Sequence, residues 1–139
     1  MDNTIFAAWV SGRLDFTDKD KRACFDTAKT IVEIVHDVRR NGILFLDEKI
    51  PAYEDSLLRL GLRLAVDSLH PDMIKEIMQT WVISGNYRGA ELLRQLMIID
   101  GLMAIVHGNS PGTVSYKLGA FFGEGLMQEY SEYGKTAAQ

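Results

Sequence analysis

Residues 89–107 read GAELLRQLMIIDGLMAIVH. Leu92, Leu93, Leu96, Met97, Ile99, Leu102, Met103, Ile105 and Val106 spread over most of a helical circumference. A surface helix shows one apolar stripe, whereas a helix apolar nearly all round is enclosed by others. This segment is therefore expected to be a central buried helix from about Gly89 to His107, stopped by Gly108-Asn109. Asp100 interrupts the apolar surface. It is either buried and paired with a nearby Lys or Arg or sits on a polar stripe beside Arg94 and Gln95.

The rest of the chain reads as helices that could surround it. Asn3 can cap a short helix carrying Ile5, Phe6, Trp9 and Val10, ended by Gly12. Thr17 opens a second helix, with Asp18 and Asp20 at the positive end of its dipole. Cys24, Phe25, Ala28, Ile31, Val32, Val35 and Val38 follow at spacings of three and four, one apolar stripe. The stripe runs past Gly42 through Leu46 and Ile50. Gly42 is either a C-cap or a glycine inside a longer helix, which Pro51 would stop near Ile50. A third helix spans about Ser56 to Asp67, with Leu57, Leu60, Gly61, Leu64 and Ala65 inward. His70-Pro71 restarts the chain as a fourth helix carrying Met73, Ile74, Ile77, Met78, Trp81 and Val82. Ser84-Gly85-Asn86 reads as a turn. Ser110-Pro111 opens a helix with Val114, Leu118, Phe121 and Phe122, and Glu124 to Tyr133 forms a last helical stretch. Residues 135–139 are expected to fray. No run alternates over a strand length. The expected fold is all-α: one domain over 1–139, a compact bundle of five to seven helices.

Composition narrows the function classes. The 139 residues carry 15 Lys plus Arg against 19 Asp plus Glu, a net charge of −4, with 47% apolar and 24% charged residues. This is globular composition, not that of a disordered chain. The acidic excess argues against nucleic-acid binding, which needs a basic face. The single Cys24 excludes an intrachain disulfide and a cysteine-based zinc site, and reads as a core filler. No stretch is long and apolar enough to span a bilayer, and no secretory leader is recognisable, so a cytoplasmic protein is expected.

Chemistry is sparse. His36 reads as a helix-surface residue, His70 as a helix N-cap or a loop residue before Pro71 and His107 as a last-turn residue. None has metal-ligand spacing. The glycines form no phosphate-binding loop, and Gly119 to Gly123 has the spacing of a close helix contact. No nucleophile, base and oxyanion donor assemble. An enzyme is not expected, and no cofactor or metal is called for. The densest charged group is Arg39, Arg40, Asp47, Glu48 and Lys49. On a continuous helix Arg39 and Asp47 would lie about 80° apart and two turns along the axis. Such a group is either a solvated face or an electrostatic docking strip.

The segment Arg39-Arg40-Asn41-Gly42-Ile43-Leu44-Phe45-Leu46-Asp47-Glu48 resembles the start of the large cytoplasmic loop in the flagellar stator A subunit (MotA-like) family. The family pattern is basic residues, a glycine, two apolar positions, then Leu-Glu. The similarity continues through residues 57–68 and 71–78, and Tyr87 to Ala90. A second block, Gln95 through Pro111 with Lys117-Leu118 and Phe121, is similar to the family's C-terminal cytoplasmic tail. In that family two transmembrane helices separate loop from tail; here the blocks nearly adjoin, residues 17–91 being loop-like and 92–123 tail-like. The resemblance implies the fold of the stator's cytoplasmic domain, without a proton path or wall anchor. It implies a partner, a flagellar rotor switch protein or stator subunit, with the basic contact position on Arg39, the acidic one on Asp47 and the protein peripheral at the motor; Arg40 and Glu48 of the same charged group complete the expected partner-binding set. The acidic contact position is Asp47 where the family has Glu, one methylene shorter.

Two other readings stay open. One is a self-assembling helical scaffold, a homo-oligomer through a patch such as Phe6, Trp9 and Val10. The other is a small-molecule sensor with a polar-lined cavity near Asp100 or His107.

Overall fold

Asp18 and Asp20 follow Thr17, and the turn they open is closed reciprocally. The Thr17 hydroxyl accepts from the Asp20 amide at 3.1 Å and the Asp20 carboxylate accepts from the Thr17 amide at 3.0 Å, which satisfies two amides that the first helical turn leaves free. In the computed structural model, which describes residues 3–134 and the side chains of 4–134, this turn is α2 (Asp18–Arg22). It follows α1 (Asn3–Val10). Capping by the Asn3 side chain and fraying of 135–139 fall outside the described residues.

The helix expected to run on from Thr17 breaks at Ala23-Cys24. Cys24 has φ −102° and ψ 1°, outside helical values, and α3 (Phe25–Asn41) starts after it. The break frees the Ala23 carbonyl, which accepts from Arg94 Nη2 at 3.1 Å. Cys24 is 0% exposed, its thiol 3.4 Å from the Ala90 carbonyl.

Gly42 ends α3. Its φ of +83° and ψ of 165° lie where glycine alone sits without strain, so the C-cap alternative holds and no helix continues to Ile50. Two 3-10 segments follow, Ile43–Glu48 and Ile50–Ala52. Asp55 caps α4 (Ser56–Val66) by accepting from the Leu57 and Leu58 amides. His70 Nδ1 accepts from the Asp72 amide, with Pro71 in the first position of α5 (Pro71–Ser84). Then come α6 (Gly89–Val106), α7 (Pro111–Gly119, capped by Ser110), a 3-10 turn Ala120–Phe122, and α8 (Gly123–Glu132). The fold is an all-helical compact bundle, with no strand among the described residues. With α2 taken as the bent first turn of α3, seven helices are present among the described residues.

α6 is the centre. It packs against α2, α3, α4, α5 and α7, and its Leu92, Leu93, Met97, Ile98 and Leu102 are fully buried. Each such side chain contributes about 1.5–3 kcal/mol by leaving water. Two glycines set the spacing. A Cβ at Gly61 would lie 2.7 Å from Leu102 Cγ, and one at Gly101 would lie 2.8 Å from Ile31 Cδ1 and Cγ2. At the other end Phe25 stands edge-on to Phe122, centroids 4.7 Å apart, with Tyr130 and Tyr133 around them. This aromatic cluster ties α8 to α3. Gly119 permits the close contact expected of it, against Met127 and Tyr130, while Gly123 serves a left-handed turn instead.

Some expected faces are rotated. In α4 the buried residues are Leu57, Leu58, Gly61, Leu62 and Ala65; Leu60 and Leu64 are only partly buried. Arg59 and Arg63 define the outer face and leave the flanking leucines at its border. In α6, Gln95 is 7% exposed, not on a polar stripe. Its amide donates to Asp55 at 3.2 Å. Asp100 is paired, 3.8 Å from Lys117, but stays partly exposed and not buried.

Candidate functional site

The charged group at the end of α3 is built by a change of helix type. A 3-10 helix has three residues per turn, so positions three apart eclipse. Ile43 and Leu46 fall on the inner line, where Leu46 is fully buried and Ile43 partly so. That places Leu44 with Asp47, and Phe45 with Glu48, on the two outer lines. Leu44 is 70% exposed and Phe45 38% exposed. The corner therefore presents two apolar side chains among charges.

Arg39 and Arg40 occupy the last turn of α3, where positive charge is favoured by the helix dipole. Both are exposed, and neither makes an ion pair or side-chain hydrogen bond among the described residues. Glu48 is likewise exposed and unpaired among them. Asp47 is engaged: its carboxylate meets Arg63 at 2.7 Å, and Arg63 also lies 3.8 Å from Asp67. Lys49 bonds Asp37 at 3.2 Å and sits 4.7 Å from the centre of the Phe45 ring.

This corrects the geometry expected of the four residues. Gly42 turns the chain, so Arg39 and Asp47 do not share a helix and their helical angle does not apply. All four remain on the surface around one corner. Arg39, Arg40 and Glu48 are available to a partner, while Asp47 is bound into an ion-pair chain with α4. Arg63, Leu44 and Phe45 were not singled out from sequence. The available signal was the apolar run 43–46, since four consecutive apolar residues cannot all face inward from one helix.

The other sequence candidates scatter. His36 and His107 are exposed, and His70 caps α5. Among the described residues no group of three or more His, Cys, Asp or Glu is placed to hold a metal ion, and no helix is long and apolar enough to cross a membrane. Phe6 and Trp9 pack against the core and Val10 is buried, so the patch expected to join copies is turned inward. The exposed apolar face lies on α5 instead, where Met73, Ile77 and Trp81 follow at four-residue spacing and line a shallow groove. A cavity of about 480 Å³ does lie near Asp100 and His107, lined also by Lys75, Gln79 and Lys117. A larger cleft, about 570 Å³, lies between α3, α6 and the segment leading into α4, around Arg94.

Cys24 lacks the setting of a reactive thiol. Burial pushes its pKa up to about 11, so the neutral form prevails at physiological pH.

No protein-family model matches the chain, and no curated protein and no solved structure matches it.

Proposed function

We propose that this chain is a non-enzymatic docking module that engages a flagellar motor component, a rotor switch protein or a stator subunit, through the corner between α3 and the 3-10 segment Ile43–Glu48. The observation that carries the reading is the pair Arg39 and Arg40, exposed and unpaired among the described residues, beside the outward Leu44 and Phe45. Exposed apolar side chains near charges that are in part unpaired suit a protein partner: the apolar groups supply affinity and the charges set orientation and encounter rate. The motor enters through the resemblance of residues 39–48 to the stator loop. Asp47 takes a different part from the one that resemblance implies. Held by Arg63, it shapes the corner, and Glu48 is the acidic group left to a partner.

The test is capture from the lysate of a flagellated cell. Wild type is compared with an Arg39→Glu/Arg40→Glu variant and with Arg39→Glu/Asp47→Lys. Recovery of a rotor or stator protein by wild type, lost in both variants, supports the reading. Equal recovery by the variants removes the corner from it.

A second reading, a self-assembling scaffold, draws on the face of α5 where Met73 and Trp81 are exposed with the half-buried Ile77 between them. It is preferred if no motor protein is captured and light scattering shows oligomers that Trp81→Glu dissolves.

A further inference from the structure

The cleft around Arg94 belongs to none of the surfaces considered for docking. Its walls follow from helical spacing. Ala23 from the break before α3, with Thr27 and Thr30 from α3, lines one side, Arg94 and Ile98 the other from α6, and Tyr53 to Asp55 close the third. Its volume, about 570 Å³, is in the range of small-molecule sites.

Arg94 is fixed before any ligand arrives. Nε donates to the Thr27 hydroxyl at 3.2 Å and Nη2 to the Ala23 carbonyl at 3.1 Å. Nη1 has no hydrogen-bond partner among the described residues. A guanidinium held this way offers its remaining donors in a set direction, the arrangement that suits a carboxylate.

The carboxylates of the cleft are not equivalent. Asp55 is consumed by the cap of α4 and by Gln95. Asp26 accepts from the Tyr133 hydroxyl with one oxygen, and its other oxygen has no partner among the described residues. Glu54 has no side-chain partner among the described residues. A purely anionic ligand would meet two available carboxylates, and a purely cationic one would meet Arg94. Both costs vanish for a molecule carrying one charge of each sign a short distance apart. Ala52 and the Tyr53 ring bring accessible apolar surface to the lining, in front of the buried Leu58 and Ile98.

We propose that this cleft binds a free α-amino acid with an apolar side chain. Its carboxylate lies on Arg94, its ammonium between Asp26 and Glu54, and its side chain against Ala52 and the Tyr53 ring. The site is separate from the α3 corner, and its test is independent of the proposed docking function.

The probes are L-leucine, L-isoleucine, L-valine, L-methionine and L-phenylalanine, with two halves of leucine as controls. 4-Methylpentanoate lacks the ammonium, and 3-methylbutylamine lacks the carboxylate. Melting temperature and titration calorimetry are read on the full chain. At least one amino acid, at about ten times its Kd, raises the melting temperature by about 5 °C; neither half does so at the same concentration. Glu54→Gln and Asp26→Asn each weaken binding several-fold, and Arg94→Lys by tenfold or more. Arg39→Glu/Arg40→Glu leaves binding unchanged. Should Arg94→Lys unfold, the two carboxylate variants decide. The proposal is overturned if no amino acid binds at 10 mM, if either half binds as well as the intact molecule, or if the carboxylate variants bind normally.

Discussion

Gly101 of α6 lies under Ile31 of α3 so closely that a methyl group at Gly101 would stand 2.8 Å from both Cδ1 and Cγ2 of the isoleucine. Cδ1 could swing away, but Cγ2 is held by the branch at Cβ, which allows few rotamers. Gly101→Ala is therefore expected to force the helices apart. Overpacking costs about 1–3 kcal/mol, against about 1 kcal/mol gained from helix propensity. Urea denaturation should show a net loss. As a control, Gly125→Ala in α8 meets nothing within 4 Å and should stabilise by about 0.5–1 kcal/mol.

Gly42→Ala separates two backbones by the sign of its effect. In a continuous helix the change would stabilise by about 1 kcal/mol. At φ +83° and ψ 165° a side chain is strained, and the variant should lose about 1–3 kcal/mol. The midpoint of chemical denaturation reads the difference directly.

Asp55 serves α4 and α6 together, capping one and accepting from the buried Gln95 of the other. Asp55→Ala should destabilise by about 2 kcal/mol, combining a lost cap with an unpaired buried amide. Asp55→Asn keeps a capping oxygen and should recover most of that loss. A melting experiment on the two variants checks this; equal losses would show that the cap is not what Asp55 supplies.

Cys24 ties stability to alkaline pH. Its pKa is raised from 9.0 to about 11 by burial. Above pH 9 the unfolded chain releases this proton while the folded one retains it, so stability present below pH 9 is lost progressively up to pH 11. The loss from this group is about 1–3 kcal/mol. The gap in stability between wild type and Cys24→Ala should narrow over that interval. Tyr130, raised by burial, and Tyr133, raised by its bond to Asp26, act in the same direction and are present in both proteins. At pH 8 a maleimide should label the thiol only after denaturation.

The elements most legible in the sequence were those whose cause is local. Thr17, Ser110 and His70 announce helix starts because the capping chemistry lies within three residues. α6 announces its burial because its apolar positions leave little polar surface. What stayed hidden depends on partners distant in sequence. The break at Ala23-Cys24 is balanced by Arg94, some seventy positions on. Gln95 is buried because Asp55 waits for it. The leucines of α4 surround the helix, so periodicity could not choose its face. At the corner, residue types were legible but their arrangement was not. Gly42 allowed two backbones with different geometry, and the cleft required three separated segments to be brought together.

The enclosure of α6 by five other helices gives the molecule an internal clock. Amide protons in its middle turns are reachable by solvent only when the whole fold opens, whereas α1, resting mainly on α5, can release its own by local fraying. A ligand at the corner of α3 and one on α5 would each slow deuterium uptake in a different outer segment. The uptake rate of α6 reports only global unfolding, so one exchange experiment separates where something binds from how much it stabilises the whole.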